Sequence, residues 1–199
     1  MPSDSQAELA QLKAALCRNS IQIGEFTLVS GEKSTVYVDS KLTTLTAEAI
    51  PLIGRAFLRR FKERGWRPAA VGGLTLGADP IATAIARESL SEAGYPINAF
   101  VARKETKRHG MGRFIEGLAK TEGVEVVIID DVCTKGGSTA QAIEKALEAG
   151  MKVMGAICLV DRQQGGGEML KERFGLELQR IFTLAELIAY KEQAEAATR

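Results

Sequence analysis

Cysteine is scarce in this chain, and the three present, Cys17, Cys133 and Cys158, show neither a CxxC spacing nor an even count. That argues against a disulfide framework and for a reducing compartment. With His109 the single histidine and no cysteine close to another, metal-cysteine and nucleophilic-cysteine chemistry lack partners. Cys133 therefore reads as a packing residue. No apolar run approaches the roughly 20 residues that cross a bilayer, and the start Met1 to Gln6 has no basic stretch leading into an apolar one. Neither membrane insertion nor export is expected, and the expected location is the cytoplasm. Net charge is also lacking: 26 Lys and Arg against 25 Asp and Glu leave +1. No whole-protein field favours nucleic acid or a membrane surface, so any anion site must be local.

What is present is enough for one core. A chain of 199 residues that is 45% hydrophobic and 26% charged folds, and a second domain would have to be small. Leu9, Leu12, Ala15 and Leu16 share one stripe of a leading helix, Glu8 to Arg18. Phe26 to Val29 and Thr35 to Asp39, split by Ser30 to Lys33, read as a β-hairpin or small hood. Helix and strand then alternate: Ala47 to Arg64, Ala69 to Gly72, Ala78 to Glu92, Ile97 to Arg103, Val124 to Ile129, Ser138 to Ala149, Lys152 to Val160 and Leu184 to Ala194. Such alternation predicts an α/β fold, a parallel sheet with helices on both faces. Lys104 to Gly117 and Arg162 to Gly167 are expected to be loops, the first mobile and on the surface.

The most informative segment follows the apolar run Val126 to Ile129, which has the pattern of a strand buried on both faces. It ends in Asp130-Asp131-Val132-Cys133-Thr134-Lys135-Gly136-Gly137-Ser138. Acids at a carboxyl end of the sheet stand where open α/β sheets bind ligands, and the turn opens a helix whose amides favour anions. Gly136 and Gly137 permit close approach to a phosphate; Thr134, Ser138 and Thr139 add hydroxyl donors. Two carboxylates would repel a phosphate but suit sugar hydroxyls or magnesium-bound water, so a ribose phosphate satisfies both halves. A plain strand-to-helix turn capped by Asp131 or Ser138 is the alternative, and it leaves most of the motif unused.

This turn resembles the phosphoribosyl diphosphate signature of the type I phosphoribosyltransferases. The resemblance extends to Phe26 to Ser34 with Tyr37 and Asp39, Val71 to Pro80, Arg103 to Gly110, Ile115 to Gly117 and Asp161 to Gln163. It implies a single domain over residues 1–199: a central parallel sheet flanked by helices, a small N-terminal hood formed mainly by about 1–45, and a mobile catalytic loop at about 104–117. It implies transfer of a phosphoribosyl group from phosphoribosyl diphosphate with Mg2+, which is held mainly through substrate and water near Asp130 and Asp131 without a direct protein ligand. The diphosphate would meet Arg103, Lys104, Lys107 and His109, with Lys107 foremost and Arg103 and His109 also catalytic. The sugar phosphate would meet Asp130 to Ser138. The implied acceptor is orotate, at Thr134 and Arg162 with Tyr37 as a wall, and the implied assembly is a homodimer whose loops close over neighbouring sites. Some members carry lysine where Val29 and Leu76 stand here, which alters the expected contacts in the hood and near the diphosphate.

From the residues alone the basic run Arg103 to Arg113 fits a solvated loop equally well. Arg162 suits a carboxylate with its planar fork, whereas a surface arginine paired with Asp161 is the commoner use of such a residue. Gly72 and Gly73 fit either a close-approach turn near pyrophosphate or packing. Two rival functions stand beside the implied one, the first from another class. A pyrimidine-operon regulator that binds RNA should carry a broad basic face. A purine transferase should offer a carbonyl-reading lysine or an aromatic stack in place of Asp161-Arg162-Gln163.

Overall fold

The apolar run expected to be buried on both sides is so buried. In the computed structural model, which describes residues 4–27, 33–104 and 114–197, Val127 and Ile129 enter one hydrophobic core and Val126 and Ile128 another. Side chains of a strand alternate between faces, so both faces of the sheet must be covered.

The elements run α1 (Asp4–Asn19), β1 (Ile21–Thr27), β2 (Lys33–Val38), α2 (Lys41–Thr44), α3 (Ala49–Arg64), β3 (Ala70–Leu74), α4 (Ala78–Glu88), β4 (Asn98–Ala102), β5 (Ile115–Glu116), β6 (Glu125–Cys133), α5 (Gly137–Glu148), β7 (Lys152–Asp161), α6 (Gly166–Phe174), β8 (Leu178–Thr183) and α7 (Leu184–Ala196). A π-helical turn, Ser89–Ala93, continues α4. One face of the sheet is covered by α1, α3, α4 and α7 through residues such as Leu12, Phe57, Ile81 and Leu187. The other is covered by α5 and α6 through Ala140, Ile143 and Leu170.

The sheet has six strands in the order β5-β4-β3-β6-β7-β8, parallel except for β5. From β3 the chain crosses outward to β4, then returns to lay β6 on the other side of β3. The order therefore reverses between β3 and β6, and in open α/β sheets a ligand binds in the crevice beyond the carboxyl ends at such a point.

Several expectations need correction. Part of the expected 104–117 loop is strand: Ile115 and Glu116 pair antiparallel with Ala102 and Val101. Of the expected Arg162 to Gly167 loop, Gly166 and Gly167 already belong to α6, because Gly165 at φ 89° turns the chain into the helix. β8 went unanticipated, since Arg180 interrupts its apolar pattern at the sheet's edge. The hairpin begins at Ile21, ahead of Phe26. Helix α1 and the hairpin alike join the main core, through Leu12, Leu16 and Cys17 and through Ile21 and Val36.

Candidate active site

Asp130 and Asp131 lie inside β6, not after it, because the strand pairs with β7 as far as Cys133 opposite Asp161. Their carboxylates therefore face opposite sides of the sheet. Asp130 turns toward α5, where its Oδ2 accepts from Ser138 Oγ at 2.7 Å and Thr139 Oγ1 at 2.5 Å. Its Oδ1 accepts from the Asp131 amide at 3.0 Å. Asp131 turns the other way: its Oδ2 accepts from Ser40 Oγ, and its carboxylate packs on Gly77, where a Cβ would stand 2.3 Å from Oδ1.

The acids consequently differ in character. Asp130 is 5% exposed, and burial pushes its carboxyl up to about 6; the Thr139 and Ser138 hydrogen bonds oppose the rise and the Asp131 charge adds to it. Asp131 keeps partial exposure. Two expectations are corrected here. The Ser138 and Thr139 hydroxyls, expected to serve a phosphate, donate to Asp130. Asp130 itself is packed, leaving Asp131 as the more open acid of the pair.

Beyond β6 the turn is open. Gly136, at φ 78°, caps α5, and a Cβ there would stand 2.6 Å from Met169 Cε and 3.1 Å from the Gly166 carbonyl. Around Gly137 there is open space, and Lys135, Gly137 and Ser138 are exposed. The first amides of the helix therefore border solvent, the arrangement that receives an anion. Val132 packs against the main core and the Cys133 side chain is fully buried, so any ligand contact by Cys133 is restricted to main chain. Cys133 is no ready nucleophile, since burial pushes its thiol up to about 11.

Register brings Arg162 beside the turn: its amide donates to the Cys133 carbonyl at 2.9 Å. Nη2 donates to Ser34 Oγ in β2 at 3.4 Å, while Nε is buried with no hydrogen-bond partner. The expected alternative, an Arg162–Asp161 pair, does not form. Asp161 accepts instead from the Gln163 amide at 2.7 Å and from Arg180 Nη1 at 3.3 Å. Tyr37, 42% exposed, packs its ring on Phe26 with centroids 5.6 Å apart. The hairpin thus reaches the site through Ser34, whereas Tyr37, three positions on, lies on the exposed face of the same strand.

Arg103 and Lys104 follow β4, one strand beyond β3 from the acids. The Arg103 guanidinium lies 3.5 Å from Glu116, and its amide donates to the Phe114 carbonyl at 2.9 Å. Lys107 and His109 lie outside the described residues, as does Val29. Leu76 is 71% exposed and follows a cis Thr75–Leu76 peptide. The pyrophosphate-turn reading of Gly72 and Gly73 is corrected to packing: both lie within β3, where a Cβ would stand 2.1 Å from the Phe100 carbonyl and 1.9 Å from that of Ile129. The residue of that segment that reaches an acid is Gly77. Ser40 was missed altogether, having no local signal, because its partner lies 91 positions away.

A family model described as the phosphoribosyl transferase domain matches residues 43–185. Orotate phosphoribosyltransferase of Rhodopirellula baltica is 41% identical over 191 residues, which cover 94% of this chain and 97% of that protein. The crystal structure of Mycobacterium tuberculosis H37Rv orotate phosphoribosyltransferase in complex with Fe(III) dicitrate is similar at a TM-score of 0.78 and 40% identity, over 90% of this chain and 98% of that one. A second structure from that organism, in complex with 5-phospho-alpha-D-ribosyl 1-diphosphate, is similar at a TM-score of 0.74 and 36% identity, over the same shares.

Proposed function

This chain belongs to the phosphoribosyltransferase family, and we propose that it transfers the 5-phosphoribosyl group of phosphoribosyl diphosphate to orotate. The products are orotidine 5′-monophosphate and pyrophosphate, a step of pyrimidine biosynthesis. The observation that carries the acceptor is Arg162: it stands beside the sugar-phosphate turn, Asp161 is engaged by Arg180, and its buried Nε has no partner. A guanidinium fork takes a planar carboxylate in two parallel hydrogen bonds, and orotate carries one. Thr134 and Tyr37 are the further orotate contacts proposed.

The amides of Thr134 to Ser138, with the Thr134 hydroxyl, would hold the 5-phosphate at the start of α5. Asp131, with one carboxylate oxygen on Ser40, retains lone pairs for a ribose hydroxyl. As the bond from C1 to the diphosphate oxygen breaks, positive charge develops on the sugar and negative charge on the leaving group. Arg103, Lys104, Lys107 and His109 are proposed to stabilise that departing charge, with Lys107 foremost.

Among the described residues no group of three His, Cys, Asp or Glu is placed to hold a metal. With Asp130 packed, Asp131 offers the hard oxygen donors that suit Mg2+, which is commonly bound by one or two carboxylates together with substrate phosphates. Bound Mg2+ would neutralise diphosphate charge, and Asp131 is the residue proposed to meet its water shell. A homodimer with shared sites is proposed as the assembly. No described helix is long and apolar enough to cross a membrane, and a cytoplasmic location is proposed.

The test follows orotate absorbance with purified protein. It should fall only when phosphoribosyl diphosphate and magnesium are both present. Turnover of guanine or hypoxanthine in place of orotate would overturn the acceptor assignment.

A further inference from the structure

We propose that Lys145 is a positioning residue that fixes Arg103 and Lys104 against the helix of the phosphate turn; the proposal rests on the reaction given above. Lys145 lies in α5 and is 6% exposed. The residues around it on that helix, Ala142, Ile143 and Ala146, are buried and apolar. An ammonium in such a place is costly unless other groups compensate it.

The compensation comes from both flanks of the basic segment. Nζ stands 3.6 Å from the centroid of the Phe114 ring and donates to the Lys104 carbonyl at 3.3 Å. Phe114 in turn accepts from the Arg103 amide at its own carbonyl, at 2.9 Å. Three contacts close on one another: the lysine holds Lys104 directly, and holds Arg103 through the residue whose ring it covers. A cation over a ring face is attracted by the ring's quadrupole, and more strongly where it is partly desolvated.

The ammonium's described contacts are the Lys104 carbonyl and the Phe114 ring. Its effect is geometric. α5 starts at the turn that would grip the 5-phosphate, and Lys145 ties the diphosphate's proposed cations to the same rigid rod. Two elements that come from different strands are thereby fixed relative to one another, which sets the position from which Arg103 and Lys104 meet the diphosphate, in their own site or the partner's.

The test compares wild type with K145M, K145R and F114L in initial-rate assays, varying each substrate in turn, alongside thermal melts. K145M keeps the stem and removes the ammonium, and should raise the KM for phosphoribosyl diphosphate roughly tenfold with little change in that for orotate. K145R should restore most of the loss, because Lys145 and Phe114 line a cleft of about 520 Å³ with room for a guanidinium. F114L should repeat the K145M signature without touching the lysine, and it decides the matter if K145M fails to fold. Variants that leave both KM values unchanged, or move both equally, would overturn the role of Lys145 while the reaction stands. A wild-type protein that does not consume orotate would overturn the reaction as well.

Discussion

Ser40 donates its hydroxyl hydrogen to Asp131 Oδ2, joining the residue before α2 to the acidic end of β6 across 91 positions of chain. Gly77, from the residues before α4, backs the same carboxylate. Three separate segments thus meet at one acid at the point where the strand order reverses. A carboxylate has about four lone-pair sites, so Asp131 retains capacity after serving Ser40.

Asp131→Asn keeps an acceptor for Ser40 and removes the charge. The expected outcome is a fall of about tenfold or more in kcat/KM for phosphoribosyl diphosphate, with a higher magnesium requirement and a nearly unchanged melting temperature. Initial rates across a magnesium titration measure it. Unchanged rates would reduce Asp131 to a packing partner of Ser40.

Asp130 sets a pH dependence of stability. Its carboxyl rises from 3.8 to about 6 on folding, chiefly through burial, so between those values the folded protein binds the proton more readily than the unfolded chain. Stability from this group is fully present below about 4 and is lost as pH rises through about 6. Urea melts without magnesium should show wild type losing ground to Asp130→Asn across that window and holding a constant gap above it. A gap independent of pH would refute the assignment.

Arg162→Ala should raise the KM for orotate far more than that for phosphoribosyl diphosphate. Arg162→Lys should not restore it, since an ammonium cannot supply two parallel hydrogen bonds. Equal effects on both substrates would refute carboxylate recognition.

Lys107→Ala should lower kcat by about a hundredfold or more, while size-exclusion chromatography still shows a dimer. If sites are shared, mixing this variant with Arg162→Ala and allowing exchange should restore about a quarter of wild-type activity, because half the dimers are mixed and each holds one intact site. Mixtures no better than their components would argue for self-contained sites.

Much of this was legible locally. Val126 to Ile129 announced a strand buried on both faces because an unbroken apolar run leaves no face for water, and the acids and glycines after it announced a ligand turn. Where two readings were open, the residues themselves could not choose between them. Arg162 beside Asp161 resembled an ion pair until Arg180, on the neighbouring strand, was found to take that acid. Gly72 and Gly73 resembled a phosphate turn until β4 and β6 were found pressed against them.

The sequence by itself determined the α/β class, the doubly covered sheet and the position of the acidic, glycine-rich turn, since periodicity and turn chemistry depend on near neighbours in the chain. Only the tertiary structure decided that Asp130 is packed while Asp131 is open, that Ser40 and Gly77 serve the acid, and that Lys145 reaches Lys104 and Phe114. Those facts follow from the order of strands in the sheet and the face each side chain takes. Contacts between distant segments are fixed by packing the whole chain, and no local pattern encodes them.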